Sequence, residues 1–558
     1  MIWNGAATKT MTKSPYKLAE QRLTTLINSG LQGALKGGFI GIEKESLRVG
    51  QDGKIAQTPH PISLGSALTH PYITTDYSEA LIEFITPPFA NVRNSLQFLQ
   101  DTHKFVYDKL DNEILWGTSM PCVIAGDRSI PIAQYGKSNI GMMKTIYRRG
   151  LGYRYGKVMQ VIAGVHFNFS MPEAFWPVFQ QQEKNSASLQ DFISDGYFAL
   201  IRNLQRFGWL IPYLFGASPA VCKSFLGGKA SNLAEFNAST YYEPFATSLR
   251  MGDIGYQNKK EAECGFKASY DNIQAYVASI TKAINMPCAE FVDIGVVVNG
   301  EYRQLNTSIL QIENEYYSTI RPKQILNNNE KPSLALKRRG VQYVELRSLD
   351  VNAFHPLGIT EEQLRFLEAF LIFCLFHESP TINALERREI DLNQNAAAHR
   401  GRDPSLYLQR NGQSVLLRDW AAELCEAMQG FCELLDLSET DKPYTKSLES
   451  QKETIRDADR TPSSRMLEEM RKNNEGFFSF AMRMSQQHHE YFNSLQLNGN
   501  DNSGYKPHLE DITGSHINEN KLDFFTELAE KSIGRLKEIE SADSISFDEY
   551  LRNYFAQS

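Results

Sequence analysis

Carboxylates stand inside several stretches of this chain that otherwise read as β-strand. Asp and Glu are depleted from strands, because short charged side chains neither pack nor stay dry there. The first stretch is GFIGIEKESLRV, residues 38–49. Strand side chains alternate between faces, so Glu43 and Glu45 share one face while Ile40, Ile42 and Lys44 share the other. In EALIEFITPP (79–88), Glu83 lies on the face of Leu81 and Ile85. In QVIAGVHFNFSMP (160–172), His166, Asn168 and Ser170 alternate with Val165, Phe167 and Phe169. TSILQIENEYY (307–317), read as a strand, places Gln311, Glu313 and Glu315 together, and VQYVELRSLD (341–350) places Glu345 beside Arg347.

On one strand this pattern is what the wet face of an antiparallel sheet looks like. Five such strands, nearly all with Glu and one with His, ask for more. A face serving only water would mix in more Lys, Thr and Ser. A concave sheet face that gathers carboxylates suits a hard cation, and Mg²⁺ is the one expected, with Mn²⁺ the alternative. Mg²⁺ is commonly held by a few carboxylates plus substrate phosphates, which points to nucleotide chemistry. Neither a Walker A sequence nor Gly-x-Gly-x-x-Gly occurs, so P-loop and Rossmann folds lose support. Arg250, Arg321, Lys323 and Arg347 lie near the acidic strands in sequence and have the charge to neutralise phosphoryl oxygens.

The elements that must position these residues follow from the rest of the chain. Its 558 residues allow up to roughly four domains of ordinary size, and its composition is that of a soluble globular protein. Basic residues number 58 against 65 acidic, a net charge of −7, which disfavours nucleic acid or an anionic membrane as partner. Residues 1–15 read as a disordered extension and 16–36 as a helical segment. Residues 38 to about 350 alternate between strands and helices, and helical sequence dominates from 358 onward. Thr360-Glu361-Glu362-Gln363 is a capping-box pattern, further helices are expected near 417–437, 463–494 and 521–542, and 494–520 reads as a long loop. The expectation is an α+β catalytic region over 16–357, covered by helices, with a helical C-terminal region over 358–558 packed on it.

The N-terminal twenty residues have no apolar core of the secretory kind, and residues 364–377 are too short to span a membrane and contain Glu368. Seven scattered cysteines without Cys-x-x-Cys suggest reduced thiols and a cytoplasmic compartment. His488 and His489 read as surface residues rather than a metal pair, Cys425 and Cys432 as core-facing residues, and 438–475 as a solvated face.

With these residues in view, the chain resembles the proteobacterial glutamate–cysteine ligases, whose catalytic core is related to glutamine synthetase. The resemblance rests on GIEKESLRV, GSALTHPYITTDYSEALIEFITP, SMPC, AQYGKSN, YRRGLGYRYG, AGVHFNFS, RFGWLIPYLFGASPAVC, FATSLR, LQIENEYYSTIRPK and YVELRSLDVNAFHPLGI, which fill most of 38–375 in order. It implies a curved antiparallel sheet forming a funnel lined by metal-binding carboxylates. By motif matching, Glu43, Glu45, Glu83, His166 and Glu345 are implied metal ligands, with Glu313 joining them. Arg347 is implied to steady the transferring phosphate, and Arg347 and Glu43 are the catalytic pair. Asp76, Tyr77, Tyr147, Leu151, Gln160, Ile162, Asn168, Arg250, Tyr256 and Tyr317 are implied around the amino-acid substrates, and Arg321, Lys323 and Gln311 around ATP. Tyr77 stands where the family pattern has Phe, which bears on selectivity for cysteine.

The implied reaction is ATP-dependent joining of the glutamate γ-carboxylate to the amine of cysteine through a γ-glutamyl phosphate, the first step of glutathione synthesis. Glutathione would act as a feedback inhibitor, and the protein would be a monomer or weak oligomer. A ligase with another acceptor amine, a guanidino kinase and a catalytically dead binding homologue are the alternatives.

Overall fold

The computed structural model describes residues 15–255, 266–327, 329–497 and 521–557. Tyr256, most of the expected N-terminal extension and most of the loop expected at 494–520 lie outside the described residues.

Seven strands form the main sheet: β1 (Phe39–Gly50), β2 (Ile73–Thr75), β3 (Leu81–Ile85), β4 (Glu113–Leu115), β5 (Gly164–Ser170), β6 (Ile320–Lys323) and β7 (Tyr343–Asp350). Their order is β6-β7-β5-β1-β3-β2, with β4 pairing the far end of β1. Every pairing is antiparallel. Residues directly opposite one another in such a ladder share a face. Glu43 faces His166 and Glu45 faces Glu83 across β1's two neighbours, while Glu345 faces Asn168 and Arg321 faces Glu345. The strand alternation therefore gathers the charged residues on one side.

The other side is the core. Ile40, Ile42, Phe84, Val165, Phe167, Phe169, Val344 and Leu346 are buried there, each worth roughly 1.5–3 kcal/mol of burial. Lys44 shares that side. Its Nζ lies 2.9 Å from His103 Nε2 on α1 (Val92–Tyr107), and burial lowers the lysine pKa to about 7. Tyr147, Arg148 and Leu151 of α2 (Asn139–Tyr155) line a pocket beside the charged side, and α3 (Leu189–Phe207) packs beside β6 and β7.

The strand expected at 307–317 is absent; residues Glu313–Glu315 form a short 3₁₀ turn. Glu315 turns back to accept from Gln311 N at 2.8 Å and from buried Arg154 at 2.8 Å, and those bonds replace a ladder. Glu313 accepts from the backbone N–H of Ser333 at 2.5 Å, at the start of α4 (Pro332–Arg339), where a helix N-terminus favours an anion.

The helical expectation holds from α5 (Glu361–Phe376) onward: Thr360 and Gln363 make the reciprocal capping box. Glu368 inside this apolar helix is matched by Tyr444, whose hydroxyl donates to it at 2.6 Å. Helices follow at α6 (Ala384–Arg400), Leu417–Leu435, Pro443–Arg456, Pro462–Lys472, Phe477–Ser494 and Lys521–Ala542. The stretch 438–475 is not simply solvated, since Leu448, Ile455, Met466 and Met470 bury one side of its helices. An unexpected hairpin, Tyr407–Arg410 with Gln413–Leu416, turns through Asn411 and Gly412, both at positive φ (53° and 76°). An Asn-Gly pair between short strands is the usual sign of such a turn.

Two further expectations are corrected. Cys122 and Cys222 form a disulfide with a Cα–Cα distance of 5.6 Å, and Cys288 is likewise disulfide-bonded. Cysteines 100 residues apart meet because the fold brings a loop to a strand, which spacing alone does not reveal. Cys374, Cys425 and Cys432 are free and buried. His488 is buried, and desolvation lowers its pKa to about 3. No helix among the described residues is long and apolar enough to cross a membrane.

Candidate active site

At the centre of the charged face, ligand atoms of Glu43, His166 and Glu345 lie within 4.8 Å of one another. His166 Nδ1 is 3.0 Å from Glu43 Oε2 and 3.4 Å from Glu345 Oε1, and its Nε2 is 3.8 Å from Glu45 Oε1. Asn168 Nδ2 donates to Glu43 Oε1 at 2.9 Å, and Gly164 N donates to Glu45 Oε2 at 2.6 Å. Register produces this geometry, because each partner stands on the neighbouring strand at or near the opposite position.

Four carboxylates in one dry place perturb one another. Burial, then the charges of Glu43, Asp76 and Glu45, push the Glu83 carboxyl well above the usual range. Burial also raises Glu45. Glu345 goes the other way: although burial opposes ionisation, Lys323 and Arg347 hold it well below the ordinary value. Lys323 Nζ lies 2.9 Å from Glu345 Oε2, and Arg347 donates to Glu345 Oε1 at 2.6 Å. Glu43 is brought down by the hydrogen bond and charge of His166 and by Lys323, against burial and the Glu345 charge. Oxygen donors with one imidazole fit a divalent cation of the Mg²⁺ or Mn²⁺ type, and the mutual repulsion of Glu83, Glu43 and Glu45 is what such a charge relieves.

Beside the carboxylates lies a pocket lined by Asp76, Tyr77, Tyr147, Leu151, Gln160, Ile162, Arg250, Tyr317, Arg321 and Arg347, with Glu45 and His166 at its edge. Leu151, Ile162 and the tyrosine rings supply apolar wall, and the arginines supply fixed positive charge. Arg250 is set by its surroundings. It donates from Nη2 to the Arg347 carbonyl at 2.9 Å, and Asp350 lies 3.6 Å from its Nη1. Asp350 in turn accepts from Ala217 N, Ser218 Oγ and Ser248 Oγ at 2.8, 2.6 and 2.9 Å. A Cβ on Gly164 would overlap the guanidinium, with Cζ only 2.8 Å away, so glycine there admits the arginine.

Two expected site residues are placed elsewhere. Glu313 caps α4 and stands apart from the carboxylate cluster. Gln311, expected near ATP, is fully buried; it accepts from Leu305 N at 3.0 Å and donates to the Tyr147 carbonyl at 3.2 Å. It sits under Gly150, where a Cβ would meet its Cδ at 2.6 Å. Three pocket residues were missed: Arg148, Met159 and Asn314. Arg148 is the informative one. It donates from Nε to the Asp76 carbonyl and stacks on Tyr135, with Cζ 4.6 Å from the ring centroid. Its position one residue after Tyr147, on the helix that lines the pocket, was the available signal.

A wider groove of about 830 Å³ lies along the helix Ile273–Asn285 near Lys337. Among the described residues, Lys282 and Lys337 are the ionisable groups that line it, in contrast to the convergent acids of the sheet.

Comparison with known proteins agrees with the geometry. The sequence model of the glutamate–cysteine ligase family matches residues 23–397. A glutamate–cysteine ligase of Alcanivorax borkumensis is 46% identical over 544 residues, covering 97% of this chain and 99% of its own length. One from Pseudomonas aeruginosa is 50% identical over 457 residues, covering 82% of this chain and 86% of its own. The crystal structure of the Francisella tularensis glutamate–cysteine ligase in complex with AMP superposes with a TM-score of 0.83 at 36% identity, covering 93% of this chain and 98% of that one. A bifunctional glutathione synthetase from Pasteurella multocida shares the fold, with a TM-score of 0.65 at 24% identity, over 86% of this chain and 55% of that one. The chain belongs to the glutamate–cysteine ligase family.

Proposed function

We propose that this protein joins the γ-carboxylate of L-glutamate to the amine of L-cysteine at the expense of ATP, giving γ-glutamylcysteine, ADP and phosphate. The convergence of Glu43, His166 and Glu345 beside a pocket holding Arg250, Arg321 and Arg347 carries this reading.

A carboxylate is a poor acyl donor because oxide is a poor leaving group. Phosphorylation converts that oxygen into phosphate, which leaves readily when the cysteine amine attacks. Glu43, His166 and Glu345, with Glu45 and Glu83 alongside, would hold a divalent cation, which when bound would supply positive charge to the ATP phosphates. The chain's own groups do the rest. Arg347, locked by its bond to Glu345, is aimed at charge on the transferring phosphoryl group. Lys323 and Arg321, two residues apart on β6 and so on one face, would meet the nucleotide phosphates. Arg250 offers a guanidinium to a substrate carboxylate, and Asp76 offers a carboxylate to an ammonium. Tyr77, Tyr147, Leu151, Ile162 and Tyr317 line a wall suited to a small side chain, with Gln160 as its polar edge and Asn168 holding Glu43. Tyr256, outside the described residues, is assigned to substrate binding by the family motif alone. Glutathione, which contains both substrates, would compete by filling both amino-acid subsites.

The test is ADP formation from MgATP with glutamate alone, cysteine alone and both, with mass analysis of the product. Formation only with both, and a γ-glutamylcysteine mass, supports the reading. Formation with a different amine would move the specificity, and none from folded protein would refute it.

A further inference from the structure

Arg250 belongs to a segment, 243–255, that is held on one side by Asp350 and on the other by the C-terminal end of α6. The second attachment centres on His399. Its Nδ1 lies 2.8 Å from Glu243 Oε2, and its Nε2 lies 3.1 Å from Asp253 Oδ1. These carboxylates bracket Arg250, one at the start of the segment and one near its end. The imidazole packs on the backbone at Gly252, where a Cβ would come within 3.0 Å of its Cδ2. The carbonyl of Ala398 accepts from Thr247 N at 2.9 Å and from Ser248 N at 3.1 Å, and Thr247 Oγ1 donates to the Ala397 carbonyl at 2.9 Å. Ser248 and Ser218 then tie the segment to Asp350, the carboxylate nearest the Arg250 guanidinium.

We propose that His399 is a positioning residue for the amino-acid subsite, clamping the Arg250 segment to α6 through Glu243 and Asp253. The proposal rests on the reading that Arg250 receives a substrate carboxylate. It also gives α6 a part in catalysis that is distinct from covering the core.

The clamp has two states because Asp253 offers Nε2 both an acceptor and a donor. The imidazolium donates from both nitrogens, to Glu243 and to Asp253 Oδ1. The neutral ring keeps its Nδ1–H on Glu243, and its Nε2 accepts from the Asp253 N–H at 3.1 Å instead. Among the described residues, the charged groups facing the ring are Glu243 and Asp253; nearby Arg402 donates to the Pro244 and Ala246 carbonyls, and Arg400 is paired with Asp403. Burial opposes the charged ring, but Glu243 and Asp253 raise the His399 pKa above its usual value. The charge-assisted clamp is therefore complete below about pH 6.5 and is lost as pH rises through the raised value.

The test is His399→Gln in the full chain, with Glu243→Gln as a second variant. We expect the KM for glutamate to rise roughly tenfold, the scale of one charge-assisted hydrogen bond, with kcat and the KM for MgATP unchanged. In the wild type the KM for glutamate should climb with pH, and in His399→Gln that slope should vanish. Amide exchange at Thr247 and Ser248 should accelerate in both variants while the main sheet stays protected. A uniform loss in kcat and both KM values with a lower Tm would reduce His399 to a structural residue and overturn the proposal. Unchanged glutamate KM and unchanged exchange would overturn it too. If wild-type protein ignores glutamate altogether, the substrate reading fails, and the exchange experiment still decides whether His399 clamps the segment.

Discussion

His166 Nδ1 stands 3.0 Å from Glu43 Oε2 because the two residues are register partners across β5 and β1. The contact joins the ladder that builds the fold to the charge cluster proposed as the metal site. A one-residue slip in either strand would send one member to the core face.

Glu43→Gln tests that cluster. The amide still fits against Asn168 and His166, so the fold should survive, while a neutral oxygen holds a cation poorly. Turnover should fall by at least about 100-fold, and titration calorimetry should show weakened Mg²⁺ or Mn²⁺ binding. Near-normal turnover would remove Glu43 from the site.

Arg347→Lys keeps the charge and loses the planar fork that Glu345 fixes. We expect kcat to fall by about 10²–10³ with little change in the KM for glutamate, measured by steady-state ADP release. A raised KM with kcat unchanged would assign Arg347 to ground-state binding instead.

Glu45 and Glu83 make the metal response depend on pH. Both have pKa values raised by burial, Glu83 further by its acidic neighbours. Such a carboxyl holds its proton more tightly when folded. Its contribution to stability is full below the unfolded value of about 4.3 and is lost as pH rises through the folded one. A cation takes over from the proton, so the Mg²⁺-induced gain in Tm should grow as pH rises through the raised carboxyl values. A gain that does not vary with pH would count against these two as ligands.

Glu315→Ala separates structural from functional carboxylates. Glu315 and Arg154 form an ion pair with both side chains at 0% exposure, and Tyr155 Oη also donates to Glu315 at 2.8 Å. Removing one partner leaves a buried charge alone and should cost about 3–5 kcal/mol in chemical denaturation. Loss of less than about 1 kcal/mol would mean that Arg154 finds water or another acceptor.

The charged face was legible in the sequence where strand alternation was regular. Glu43, Glu45, Glu83, His166 and Glu345 fall together because period-two patterning survives on β1, β3, β5 and β7. It failed at Gln311, Glu313 and Glu315, where an acidic alternation looks like a strand but its side chains satisfy Ser333, Arg154 and the chain's own backbone. The Cys122–Cys222 disulfide was illegible because it depends on tertiary proximity. The Asn411-Gly412 hairpin was legible and overlooked amid helical sequence. Arg148 and His399 could not be ranked by residue type alone; only the pocket and the segment 243–255 give them meaning.

Oxygen transfer from glutamate to phosphate is the most direct test of activation at this site. Glutamate labelled with ¹⁸O in its γ-carboxylate would be turned over with MgATP and cysteine, and the released phosphate weighed by mass spectrometry. Activation through a γ-glutamyl phosphate predicts one labelled oxygen in each phosphate formed. Product formation with unlabelled phosphate would contradict the mechanism assigned to this site.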